Sequence, residues 1–176
     1  EMGRDTHQLF SAALKEDVER RVSMEKGLRT AIVRSKLTVY FQPIMDTKSQ
    51  RPVALEALVR WPDERGGPMT LPSDFIPLAE HTGLIVPLGE LVLRDAVRAM
   101  KALPRRSFAP LNLAINVSVR QLSNLSFVDD VLEALNVESF PATRLHFEIT
   151  ETAALSEGML IGDQLRRLKK AGASIA

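Results

Sequence analysis

Val53-Ala-Leu-Glu-Ala-Leu-Val-Arg-Trp61 alternates in a way that a strand buried on both sides does not. Successive side chains of a strand point to opposite faces. Ala54, Glu56, Leu58 and Arg60 therefore share one face, while Val53, Leu55, Ala57, Val59 and Trp61 share the other. Parallel strands covered by helices normally read as near-continuous apolar runs. Two more segments break that rule in the same manner. In Asn112-Leu-Ala-Ile-Asn-Val-Ser118, Asn112, Ala114, Asn116 and Ser118 oppose Leu113, Ile115 and Val117. In His146-Phe-Glu-Ile-Thr150, His146, Glu148 and Thr150 oppose Phe147 and Ile149. Each strand thus has an apolar face for a helix layer and a polar face for a barrel mouth or cleft.

Upstream, Leu37-Thr-Val-Tyr-Phe-Gln-Pro-Ile44 has the same period of two, with Tyr40 and Gln42 on one face and Val39 and Phe41 on the other. Pro43 has no amide hydrogen to give a ladder, so it belongs at a strand end or edge. The polar stretch Asp46 to Arg51 makes the turn into the Val53 strand, which Pro62 and Gly66-Gly67-Pro68 stop. Before Leu37, residues 5 to 35 read as a helix, with Phe10, Leu14, Val18 and Val22 every four positions and the stripe then drifting to Met24, Leu28 and Ile32. Its ordinary reading is a solvated linker or capping helix; the sharper one is a signalling helix. Downstream, Ser73 is the expected N-cap of a helix running to Glu80, and a second helix runs from Pro87 to Leu103. Strand three is Leu111 to Ser118, a helix lies within 119 to 136, and strand four is Leu145 to Thr150. A helix from Glu157 to Ala171 and a strand at 173–176 complete the chain. Two strands followed by alternating helices and strands predict an α/β fold with a parallel sheet or barrel.

Composition narrows the function. The 176 residues carry 23 basic and 22 acidic side chains, a formal net charge of +1, which lacks the basic footprint of a duplex nucleic-acid binder. There is no cysteine, so disulfides, thiolate metal sites and cysteine nucleophiles are excluded together. No apolar run approaches the roughly 20 residues that span a bilayer, and the expectation is a cytoplasmic domain, free or as the cytoplasmic part of a membrane-anchored protein.

A buried carboxylate is costly unless it is paired or holds a cation. Glu56, Glu148 and the Asn116 amide, converging from strand ends, are hard oxygen donors of the kind Mg²⁺ and Mn²⁺ take. The ordinary alternatives are a salt bridge from Glu56 to a neighbouring Arg or Lys, and a cross-sheet hydrogen bond for Asn116. His146 reads as a structural histidine, His7 and His81 as exposed, and Tyr40 and Trp61 as packing residues.

The residues also resemble a known family. Glu56-Ala57-Leu58 followed by Val59-Arg60-Trp61 is similar to the signature of EAL domains, the cyclic di-GMP phosphodiesterases of bacterial signalling. Tyr40-Phe-Gln-Pro-Ile44, Phe75-Ile-Pro-Leu-Ala-Glu80 through Gly89, Asn116-Val-Ser118 with Arg120-Gln-Leu122, and Glu148-Ile-Thr-Glu151 resemble further blocks of that family in its order. The resemblance implies a modified TIM-type (β/α)₈ barrel with one antiparallel strand near its start. It implies Mg²⁺- or Mn²⁺-dependent hydrolysis of cyclic di-GMP to linear pGpG. By position, Glu56, Asn116 and Glu148 would be metal ligands and Arg60 would contact a phosphate. Gln42 and Leu58 would line the ligand, and Glu151 would order an adjacent catalytic loop. An upstream GGDEF or sensory domain and a homodimer through this domain are the partners it suggests. The domain division is then a linker helix at 1–36 and the N-terminal portion of an EAL domain at 37–176.

In the family, the strand beginning at Gly172-Ala-Ser-Ile-Ala176 runs into an Asp-Asp-Phe-Gly motif, followed by a Lys and a further Glu, none of which this sequence contains. About five of eight strands are expected, and the chain alone is expected not to turn over cyclic di-GMP. Two other functions fit the residues: a catalytically silent EAL-like receptor, and a barrel glycosidase using Glu56 and Glu148 as its carboxylate pair without a metal.

Overall fold

The first reversal of the sheet is held by Asp46, whose Oδ1 accepts from Ser49 N and Ser49 Oγ at 2.7 Å each. This turn, closed by an Asp side chain on its own backbone, joins β1 (Thr38–Met45) to β2 (Pro52–Arg60) as an antiparallel hairpin. The backbone and side-chain donors of Ser49 hold the Asp46 carboxyl below its ordinary range. The computed structural model describes residues 12–63, 66–103, 110–149 and 159–176.

After the hairpin every pairing is parallel: β2 with β3 (Asn112–Val117), β3 with β4 (Leu145–Ile149), and β4 with β5 (Ser174–Ile175). The five strands lie in sequence order in one mixed sheet. The α/β class, the antiparallel start and the parallel continuation agree with the sequence reading. Helices α1 (Ala12–Val33), α2 (Pro72–Thr82) and α3 (Ile85–Ala102) precede β3. The short α4 (Val119–Leu122) and α5 (Phe127–Val137) lead to β4, and α6 (Met159–Lys170) leads to β5.

The apolar strand faces meet the helices as their alternation demands. Ala57, Leu113, Ile115, Val117, Leu145 and Phe147 are buried with Leu93, Val97, Met100, Val131, Leu135 and Leu168. A second cluster forms where the C-terminal half of α1 lies on α2 and α3: Leu28 and Ala31 are buried with Leu37, Phe75, Ala79 and Leu88. Trp61 closes this cluster edge-on against Phe75, ring centroids 5.7 Å apart. Among the described residues no helix is long and apolar enough to cross a membrane.

Several local expectations need correction. Leu71, not Ser73, is the N-cap of α2, because Pro72 takes the first helical position where its fixed φ suits the helix. The helix expected within 119–136 is two helices. Asn124 Oδ1 accepts from Ser126 N at 3.3 Å, breaking the chain between them. Buried Gln164 on α6 braces that break, its Nε2 donating to Asn124 O at 2.9 Å and Leu125 O at 3.2 Å. The stripe on α1 is divided: Leu14, Val18 and Val22 are exposed, whereas Met24, Leu28 and Ile32 pack inward. Phe10 and His7 lie outside the described residues.

Candidate functional site

Residues paired across a ladder share a face, so the register collects the site. Gln42 on β1 stands opposite Glu56 on β2. Glu56 is level with Ala114 on β3, Ala114 with His146 on β4, and His146 with Ser174 on β5. One layer towards the C-terminal ends of the parallel strands, Asn116 is level with Glu148. Leu58 pairs with Tyr40, and Arg60 with Thr38. Six of the seven predicted site residues therefore lie on one face of the sheet, turned away from the buried clusters. Glu151, the seventh, lies outside the described residues.

One contact ties the face together. Asn116 Nδ2 donates to Glu56 Oε1 at 2.8 Å. This is the cross-sheet hydrogen bond that is the ordinary reading of Asn116, but its acceptor is the other candidate ligand. The salt bridge that is the ordinary reading of Glu56 is not formed among the described residues. The bond uses the amide nitrogen, so Asn116 Oδ1 and Glu56 Oε2 remain as oxygen donors. With Glu148 they form two carboxylates and one amide; among the described residues no three Asp, Glu or His side chains come together. That donor set fits a hard cation, and not a soft one.

Arg60 sits at the edge of this face. Its Nη1 donates to Val59 O at 2.9 Å, and its guanidinium carbon lies 5.6 Å from the centroid of the Tyr40 ring. Tyr40 is 52% exposed, which corrects its reading as a packing residue: the ring steadies a cation rather than filling core. Trp61 does pack, as expected, and His81 is exposed. His146 is half-buried within the ladder. Asp129 and Asp130, the one Asp-Asp pair in the sequence, lie in the first turn of α5 away from the site; Asp129 pairs with Arg167, and Asp130 accepts from Ser126 Oγ at 2.7 Å.

Sequence reading placed Ser118 and Gln121 in a family block but passed over their role in holding the exit of β3. Ser118 caps α4, and Gln121 closes the cap with its own side chain. The spacing Ser118-Val-Arg-Gln121 is itself the signature of such a capping box.

A family model described as "EAL domain" matches residues 25–176. The chain is 33% identical over 157 residues to the bifunctional diguanylate cyclase/cyclic di-GMP phosphodiesterase MucR of Pseudomonas aeruginosa, covering 89% of this chain and 23% of that protein. It is 34% identical over 174 residues to the cyclic di-GMP phosphodiesterase NbdA of the same organism, covering 99% of this chain and 22% of that protein. The chain thus spans less than a quarter of the length of these two curated relatives. Among solved structures, the PaMucR phosphodiesterase in complex with c-di-GMP superposes with a TM-score of 0.79 at 34% identity, over 87% of this chain and 62% of that one.

Proposed function

The chain belongs to the EAL domain family, whose TIM-like barrel its mixed sheet follows, and on that premise we propose that the polar sheet face serves hydrolysis of cyclic di-GMP. One phosphodiester is cut to give linear pGpG. The observation that carries this reading is the Asn116–Glu56 hydrogen bond, made beside the register pair Asn116–Glu148.

Glu56, Asn116 and Glu148 would hold Mg²⁺ or Mn²⁺. Such a cation, when bound, activates water and neutralises charge developing on phosphate oxygens. Three side chains fall short of the roughly six oxygens these ions take, so water and donors outside this trio complete the shell. Arg60 contacts a phosphate, a role suited to a planar guanidinium with parallel donors. Gln42, directly opposite Glu56, and Leu58, two residues on, line the nucleotide. Glu151, outside the described residues, would hold an adjacent catalytic loop in place. Residues 1–36 act as a helical link from an upstream GGDEF or sensory domain to the catalytic part at 37–176. Burial of Leu28 and Ala31 against α2 and α3 makes that link mechanically continuous with the sheet's helix layer.

The test is hydrolysis of cyclic di-GMP by the protein that carries this chain, with product separation by chromatography. The expected result is pGpG in Mg²⁺ or Mn²⁺, none in EDTA, and none from Glu56→Gln. Binding of cyclic di-GMP without turnover in either metal would instead identify a receptor.

A further inference from the structure

Asn116 is the penultimate residue of β3, and the next element, α4, is a helix of one turn. Such a helix has no stability of its own. Its side chains keep it. Gln121 N donates to Ser118 Oγ at 3.4 Å, and Gln121 Oε1 accepts from Ser118 N at 3.1 Å and from Ser118 Oγ at 3.2 Å. Gln121 is only 5% exposed, and it lies on the helix side of the sheet with Ile115, Val117 and Phe147. It never reaches the polar face, so it acts on that face only through the backbone of β3.

Gly89 makes this burial sterically possible. It lies inside α3, where glycine is disfavoured relative to alanine. An ideal Cβ there would collide with Gln121 Nε2 and stand 3.0 Å from Gln121 Cδ. The missing side chain is the seat of the Gln121 amide. A second fastening lies beside it. Arg120 Nη1 donates to His81 O at 3.1 Å, in the last turn of α2. The nearby Gly83, at φ 83°, would place a Cβ 3.2 Å from Arg120 Nη2. The α4 turn is therefore bolted to α2 through Arg120 and to α3 through Gln121.

We propose that Gln121, seated on Gly89, is a positioning residue for Asn116: it fixes the exit of β3 so that the Asn116 amide stays against Glu56. The expected effect on metal binding rests on the proposed role of Asn116 as a ligand, and the geometric effect does not.

The experiment compares Gln121→Met, which keeps the volume but removes the acceptor, with Gln121→Glu, which keeps the acceptor, in the protein that carries this chain. Two readouts are taken. The first is the side-chain amide NMR resonance of Asn116, assigned by its loss in Asn116→Ala. The second is the Mn²⁺ dissociation constant from calorimetric titration. Gln121→Met is expected to displace the Asn116 resonance and to weaken Mn²⁺ binding about 10- to 100-fold, the range for groups that orient a ligand. Gln121→Glu is expected to lower the melting temperature, because its carboxyl is buried beside Glu90 and Asp130, while in the folded protein the Asn116 resonance and the Mn²⁺ affinity stay near wild type. Leu135→Ala, a core change away from α4, controls for loss of stability and is expected to move neither. An unmoved Asn116 resonance in a folded Gln121→Met protein overturns the proposal, as does an equal displacement in Leu135→Ala. A displaced resonance with Mn²⁺ affinity unchanged in both Gln121→Met and Asn116→Ala keeps the positioning role and sinks the ligand assignment of Asn116.

Discussion

Asn116 and Glu56, 60 residues apart in sequence, are joined by a hydrogen bond in which the neutral amide donates to the carboxylate at 2.8 Å. The pair is balanced without a cation, since the carboxylate keeps a donor at all times. Asn116→Asp replaces that donor with a second negative oxygen. In EDTA the variant is expected to be less stable by about 1 kcal/mol, the scale of two like charges at contact in water. Mn²⁺ should raise its melting temperature more than it raises that of the wild type. Melting curves with and without metal check both statements, and equal metal-induced shifts would remove the cation from this pair.

Arg60 and Tyr40 give a prediction about substrate affinity. Tyr40→Ala removes the ring under the guanidinium and is expected to raise KM for cyclic di-GMP about 2- to 5-fold, corresponding to about 0.5–1 kcal/mol for an exposed cation–π contact. Tyr40→Phe keeps the ring and should behave as wild type. Arg60→Lys loses the planar fork and should cost about 10-fold or more in kcat/KM, following the 1.5–3 kcal/mol of a hydrogen bond to a charged group. Steady-state kinetics with kcat and KM separated decide the matter.

Glu90, on α3 beside the Gln121 seat, carries a pH dependence. Partial burial is the main cause raising its carboxyl above the ordinary value, the nearby Asp130 charge adds to this, and Arg94 opposes it. A carboxyl raised on folding favours the folded state below its unfolded pKa, and that contribution is lost as pH rises through the folded value. At neutral pH the charged form is therefore a liability. Glu90→Gln is expected to raise the melting temperature at pH 7 and to lose that advantage at pH 4, where the wild-type group is protonated. A benefit equal at both pH values would assign the effect to packing.

Leu28 tests the coupling of α1 to the sheet's helix layer. It is fully buried among Phe75, Leu88 and Ala31, and Leu28→Ala is expected to cost about 2–5 kcal/mol. The loss should come with faster amide exchange along α1, while exchange in β3 stays slow. Val18→Ala, on the exposed stretch of the same helix, should change stability by less than about 0.5 kcal/mol.

The legible part of this fold was the part governed by local backbone geometry. The period-two alternation at Glu56, Asn116 and Glu148 depends only on successive residues of a strand pointing opposite ways. It delivered both the sheet and the face on which the candidate site stands. Three features resisted such reading for stated reasons. The start of α2 turned on competition between Ser73 as a cap and Pro72 as a first helical residue, and the fixed proline φ prevailed. The exposure of Tyr40 depends on which sheet face lies open, a tertiary fact that alternation leaves undetermined. The seat of Gln121 on Gly89 joins two helices through space, so the cap was visible at Ser118-Val-Arg-Gln121 but not the cavity that receives it.

The mixed sheet also dictates an order of assembly. The β1–β2 hairpin closes over a short polar turn held by Asp46, and hairpins of this kind form in about 1–10 μs. Pairing of β2 with β3 must first close a chain that includes α2 and α3, at a loop-closure entropy that grows with the intervening length. Gln42 and Glu56 are thus expected to face each other while Asn116 is still distant. The 2.8 Å contact then becomes a clock: its formation, tracked through a probe at Asn116, reports when the crossover has docked, and not when the hairpin has formed.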